Sequence, residues 1–181
     1  MAQEIETKVL DIDADALAAE LRSLGAKELQ NTRLIVDWYR PKGIKEGEDP
    51  WFLRIRSNSE GKSEATWKAL SSSADGIVRR HKEINFAIPE PLKLAELFEE
   101  LGLEAYAHQE KDRLSFEYKD WRFDIDRYPG MPAFLEIEGK SEEAVRDALA
   151  LLGLEKNRTW PKGERVLIQD IYKLDWYQMR F

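Results

Sequence analysis

Charged and apolar residues alternate one by one along short segments of this chain. In Glu4-Ile5-Glu6-Thr7-Lys8-Val9 the two sets fall on opposite faces of a strand, with Glu4, Glu6 and Lys8 on one and Ile5, Thr7 and Val9 on the other. The same period predicts strands at Leu34 to Tyr39, Phe52 to Arg56, Glu64 to Leu70, Ile77 to Ile88, Lys111 to Tyr118, Trp121 to Arg127 and Ala133 to Glu138. Loops rich in Gly, Pro, Ser and charge separate several of them, at Pro41 to Pro50, Asn58 to Lys62 and Ser71 to Gly76. A helical period takes over in three places: Asp13 to Gly25, Leu92 to Leu101 and Ser141 to Gly153. Asp13 and Ser141 are N-cap residue types, and Gly25, Gly102 and Gly153 suit the left-handed residue that ends a helix. Beyond Asn157 the periodicity fades; a strand, a short helix and a flap all remain open for the tail from about residue 175 to 181.

The first strand returns near the other end. Glu4-Ile5-Glu6-Thr7-Lys8 is echoed by Glu136-Ile137-Glu138-Gly139-Lys140, and each copy runs into an amphipathic helix. Such a repeat predicts a pseudo-symmetric body in which two glutamate pairs face one another. Lys140 follows Gly139 just ahead of a helix cap, so its equivalence to Lys8 is not assumed.

Nearly every predicted strand puts charge on one face. In phase these residues are Glu4, Glu6 and Lys8; Arg54 and Arg56; Thr66 and Lys68; Arg79, His81 and Glu83; Lys111 and Arg113; Arg122, Asp124 and Asp126; and Glu136 and Glu138. In a sandwich these would simply form the wetted outside. Yet the amphipathic helices need an apolar sheet face to cover, and paired like charges suit a passive surface poorly. A closed antiparallel barrel with a charged lumen and helices outside satisfies both demands.

Composition narrows the chemistry. The 181 residues are 43% hydrophobic and 35% charged, with a net charge of −7 and no cysteine. An acidic chain is a poor non-specific ligand for nucleic acid, and without cysteine neither a disulfide nor a thiolate metal site exists. No apolar run is long enough to span a bilayer, so the expectation is a single cytoplasmic domain over residues 1–181 without membrane or nucleic-acid partners, monomeric or homodimeric. Clustered carboxylates are hard oxygen ligands suited to Mg²⁺ or Mn²⁺. Clustered Lys and Arg suit a compact anion. Together they form the apparatus of phosphoryl transfer. No P-loop and no Ser–His or Cys–His arrangement competes. His81 is expected to be structural or phosphate-adjacent, His108 incidental on a helix-to-strand connection, and the six tryptophans core or helix-packing residues.

The ordered set of E-x-E-x-K at the N-terminus, then Arg-x-Arg, Trp-Lys, Lys-x-Arg, D-x-D and E-I-E, resembles the CYTH superfamily of triphosphate tunnel metalloenzymes over Glu4 to Tyr172. The resemblance implies an α+β fold built on a closed eight-stranded antiparallel barrel, divalent-metal dependence and a triphosphate lying along the lumen. It implies metal coordination by Glu4, Glu6, Asp126, Glu136 and Glu138. It likewise implies phosphate binding by Lys8, Arg54, Arg56, Lys68, Lys111 and Arg113, with Glu4, Glu6 and Lys8 at the catalytic centre. The family's R-x-E-x-E strand is only partly matched by His81, Glu83 and Asn85, with Arg79 or Arg80 (Arg80 preferred) standing in for the arginine. The expected reaction is metal-dependent hydrolysis of inorganic, thiamine or nucleoside triphosphate. Cyclisation of ATP to cyclic AMP, as in class IV adenylyl cyclases, is the alternative, and a non-catalytic polyanion-binding barrel is a second one.

Overall fold

A computed structural model describes residues 3–45, 47–69 and 78–181, with residues 3, 4 and 79–81 described by their backbone. The expected loop Ser71 to Gly76 and the expected strand start at Ile77 lie outside the described residues, as does Leu70.

Eight long strands form the body: β1 (Gln3–Val9), β2 (Lys27–Pro41), β3 (Trp51–Asn58), β4 (Ser63–Ala69), β5 (Arg79–Ala87), β6 (Leu103–Tyr118), β7 (Trp121–Arg127) and β8 (Phe134–Gly139). Their antiparallel pairings run β6-β2-β3-β4-β5-β1-β8-β7 and return from β7 to β6, closing the ring. Two two-residue strands extend the count of eight: β9 (Thr159–Trp160) beside β1, and β10 (Gln178–Met179) parallel to β6. The tail is therefore a strand at its end.

The apolar strand faces point outward beneath helices. Helix α1 (Ala14–Ser23) starts at Asp13, whose carboxylate accepts the amides of Asp15 and Ala16, and stops where Gly25 takes a φ of +82°. Helix α3 (Glu142–Leu151) is capped by the Ser141 hydroxyl. Leu17 and Leu21 of α1 and Val145 and Leu149 of α3 join Ile5, Val9, Phe123, Leu135 and Ile137 in one core. Each such fully buried side chain contributes roughly 1.5–3 kcal/mol. Helix α2 (Pro91–Glu100) covers a smaller cluster around Tyr39, Ile55 and Ala65 through Phe98. A short turn, α4 (Glu164–Val166), runs on as a π-helical turn from Leu167 to Ile171 and buries Leu167 and Ile168 against Leu10, Tyr128 and Phe134.

Two strands are longer than the alternation predicts. β2 starts at Lys27 and β6 at Leu103, because they pair with one another from Lys27↔Glu117 to Pro41↔Leu103. Polar pairs carry part of that ladder: Arg33 bridges Asp112 and Gln30 donates to Ser115, so no hydrophobic alternation marks it in sequence. His108 is thus not on a connection but within β6, where its Nδ1 lies 2.7 Å from Asp37 Oδ1 on β2.

The repeated Glu-Ile-Glu strands are immediate neighbours. In the β1–β8 pair Glu6 stands opposite Glu138 and Lys8 opposite Glu136, so the two glutamate pairs lie side by side on one sheet surface. Lys140 instead pairs with Asp120 in an exposed position.

Candidate active site in the barrel lumen

Alternation places one in-phase set of the strands' charged residues inside the ring. Glu6 and Lys8, Arg54 and Arg56, Lys68, Lys111 and Arg113, and Glu136 line a cavity of about 160 Å³. Trp38, Phe52, Trp176 and the turn Gly163–Val166 complete its wall.

On β1, β6, β7 and β8 the charges are interlocked. Arg113 grips Asp126 with both arms of its guanidinium, Nε to Oδ1 at 2.6 Å and Nη2 to Oδ2 at 2.5 Å, and Nη1 reaches Asp124 at 2.6 Å. Lys111 donates to Asp126 at 2.8 Å and to Glu164 at 2.9 Å. Lys8 lies 3.0 Å from Glu136 and 3.3 Å from Glu6. Burial alone would discharge both Arg113 and Lys8. Asp124 and Asp126 outweigh it for Arg113, as Glu136, Glu6 and Glu164 do for Lys8, so both bases are held above their ordinary values. The same attraction acts on the acids. Against the effect of burial, Lys8, Arg113 and Lys111 hold Glu136 well below the usual carboxylate range, and Lys111 leads in holding Glu164 down to about 2.

On β3 and β4 the bases are crowded. Burial first, then Arg54 and Arg113, push Arg56 down to about 10 despite its bond to Glu64. Lys68 pairs with Glu83. Arg54 lies over the Trp38 ring, 5.5 Å from its centroid, and its buried Nε has no hydrogen-bond partner among the described residues. Trp176, also on the cavity wall, likewise carries a buried Nε1–H without an acceptor among the described residues. Orphaned buried donors are costly, and an acceptor bound in the cavity, an oxyanion among them, would satisfy them.

The expected acid set is placed unevenly. Glu6, Glu136 and Glu138 share the inner surface of β1 and β8, with the backbone of residue 4 in phase. Asp126 differs from the expectation: it is fully buried, and both its oxygens are committed to Lys111 and Arg113 rather than standing free beside the glutamates. Among the described residues no group of three or more acids or histidines is gathered tightly enough to hold a metal as it stands. The chemistry of the set nonetheless fits a hard divalent cation. Around Lys8, Lys111 and Arg113 stand Glu6, Asp124, Asp126, Glu136 and Glu164, so acid exceeds base and every donor is a carboxylate oxygen.

The side chains of Glu4, Arg79, Arg80 and His81 lie outside what is described, but the backbone register corrects the choice of arginine. Glu6 pairs with Arg79 and Ile5 with Arg80, so position 79 shares the inner surface and position 80 the outer one. Sequence reasoning missed Glu164 and Arg165. They belong to a single irregular turn with no repeat to mark it, and reach the lumen only because Leu167 and Ile168 are buried beside it. Trp38 and Trp176 are buried as expected, yet they also line the cavity.

Solved structures share this architecture. The protein PH1012 from Pyrococcus horikoshii OT3 superimposes with a TM-score of 0.73 at 24% identity, covering 88% of this chain and 96% of its own. A Vibrio parahaemolyticus protein named as an adenylate cyclase candidate gives 0.76 at 14% identity, with 93% and 99% covered. HpAC1 from Hippeastrum, an adenylyl cyclase by name with a dominant triphosphatase activity, gives 0.69 at 15% identity, with 94% and 96% covered. No match is found among curated proteins. The CYTH domain matches residues 2–159, spanning all eight barrel strands and the three long helices, and the chain therefore belongs to the CYTH domain family.

Proposed function

We propose that this protein is a divalent-metal-dependent triphosphatase whose substrate lies along the barrel lumen. The observation that carries the reading is the convergence of Lys8, Arg54, Arg56, Lys68, Lys111 and Arg113 on one cavity, with Arg54 Nε buried and without a partner among the described residues. Six bases around so small a space have a ready use in a compact polyanion. An anion receptor alone would gain the positioning of Arg113 and Lys111 by Asp124 and Asp126, but Glu6, Glu136 and Glu138 would oppose its ligand unless a cation joined them.

In this reading Arg54 and Arg56 grip phosphate oxygens, Arg54 through its buried Nε–H. Lys68 and Lys111 neutralise charge on either side of the chain of phosphates. Glu6, Glu136 and Glu138, with Glu4 in phase, would hold Mg²⁺ or Mn²⁺, which would supply electrophilic charge for phosphoryl transfer. Lys8 lies between Glu6 and Glu136 and, against burial, holds the Glu136 carboxyl low, ready for the cation. Asp124 and Asp126 aim Arg113 and Lys111 at the substrate. Water exclusion in the lumen strengthens each of these charge interactions. The dominant activity of the Hippeastrum neighbour accords with hydrolysis in such a tunnel.

The test is to incubate the protein with inorganic tripolyphosphate, thiamine triphosphate or ATP, each with Mg²⁺, Mn²⁺ or EDTA, following both orthophosphate and cyclic AMP. Metal-dependent orthophosphate release from one of them is expected. Cyclic AMP with pyrophosphate and little orthophosphate would make the protein a cyclase instead.

A further inference from the structure

Glu164 is a carboxylate in a place meant for an anion. Its Oε1 lies 2.9 Å from Lys111 Nζ, and its Oε2 accepts the Tyr128 hydroxyl. Tyr128 and Lys111 are both almost fully buried. Lys111 therefore stands between two carboxylates, Asp126 at 2.8 Å and Glu164 at 2.9 Å. The two are not equivalent. Asp126 lies on β7, has no solvent exposure in its side chain and is held by Arg113 as well. Glu164 comes from the C-terminal turn, borders the cavity and keeps 16% of its side chain exposed. Of the two, Glu164 is the one an incoming phosphate meets.

The turn itself does not swing freely. Leu167 and Ile168, just beyond it, are fully buried, and Arg165 is tied to the buried Asp49 at 2.9 Å. The carboxylate is thus a fixed negative charge at the edge of the anion site, held low against its burial by Lys111 and Lys8.

We infer that Glu164 is an affinity-setting residue of the tunnel, a built-in counter-anion on Lys111 that competes with bound phosphate and keeps the lumen from trapping anions. The inference rests on the triphosphate reading above and adds a physical requirement to it. A cage of bases in a low-dielectric lumen binds a product phosphate by the same contacts as a substrate. Uniform tight binding of that kind slows turnover rather than speeding it. A fixed opposing charge lowers the affinity for all such anions, and the catalytic contacts remain.

Calorimetric titration of the full chain with inorganic tripolyphosphate in EDTA tests this without metal. Glu164→Gln, which keeps size but loses charge, should bind roughly tenfold more tightly than the wild type, as expected for removing one nearby like charge. Glu164→Ala, which adds no volume to the turn, should tighten similarly if the glutamine variant folds poorly. Glu164→Asp, which retains the charge, should stay within about threefold of wild type. Wild-type binding with no tightening in the Gln or Ala variants, or equal tightening in Asp, would overturn the inference alone and make Glu164 a prop for Lys111. Absence of binding by wild type and variants alike would overturn the triphosphate reading, and this inference with it.

Discussion

On the wall formed by β1, β6, β7 and β8, Lys8, Lys111 and Arg113 each meet at least two carboxylates within 3.5 Å. Across the lumen, Arg56 has Glu64, Lys68 has Glu83, and Arg54 meets no acid among the described residues. Both walls use the same residue types, but each base of the first meets two or more carboxylates, whereas Arg54 of the second meets none among the described residues. A wall of paired ions is organised before any ligand arrives, and removing one member strands its partners in a dry interior. On the second wall Arg56 is repelled by Arg54 and Arg113 despite its bond to Glu64, a repulsion that a bound anion would relieve further. The two should therefore answer mutation in opposite ways, one through stability and the other through binding.

The largest effect is expected on the paired wall. Asp126→Ala would leave Lys111 and Arg113 without their shared acid and should lower unfolding free energy in urea by about 3–5 kcal/mol. A loss under about 1 kcal/mol would mean that the network is not structural. Next comes Glu6→Gln, at the junction of that wall with the proposed cation site. It should cut metal-dependent phosphate release roughly 100-fold while tripolyphosphate binding in EDTA holds or tightens. Loss of anion binding with unchanged turnover would break the division of labour between acids and bases.

Arg54→Ala should act the other way. Tripolyphosphate affinity is expected to fall roughly 10- to 100-fold, with stability changing by no more than about 1 kcal/mol. Strong destabilisation in urea would show that the basic wall, too, is held from within. Acidification gives a smaller, graded effect. Glu164 and Glu136 have folded values below the ordinary carboxylate value of 4.5, Glu164 at about 2. Their contribution to stability is present above that ordinary value and is lost as pH falls towards the folded values. Melting temperature should accordingly drop as pH falls from 4.5 towards 2, less steeply in Glu164→Gln. Least of all, Tyr128→Phe removes one buried hydrogen bond to Glu164 and should cost about 1 kcal/mol in urea unfolding.

Much of this was legible in the chain. Glu6, Lys8, Arg54, Arg56, Lys68, Lys111, Arg113 and Glu136 were found by alternation, and all eight line the cavity. Alternation works here because a strand's inner residues recur at every second position whatever the barrel's pairing order. It failed where both faces are polar, as along the first half of β2, and where no repeat exists, as at Glu164. Sequence reasoning also preferred Arg80 to Arg79; adjacent residues differ only in which surface they share, and the backbone register sets position 79 opposite Glu6 instead.

The sequence by itself determined the cores of the eight barrel strands, the three long helices and the gathering of charge on one strand face, because these follow from short-range periodicity and capping. Tertiary structure alone decided which charges meet. That the two Glu-Ile-Glu strands are neighbours, that Asp126 serves Arg113 and Lys111, and that a C-terminal turn delivers Glu164 all depend on strand order and ring closure. Those long-range pairings join residues far apart in the chain. Their energies come from contacts that exist only once the barrel has closed, so no local pattern records them.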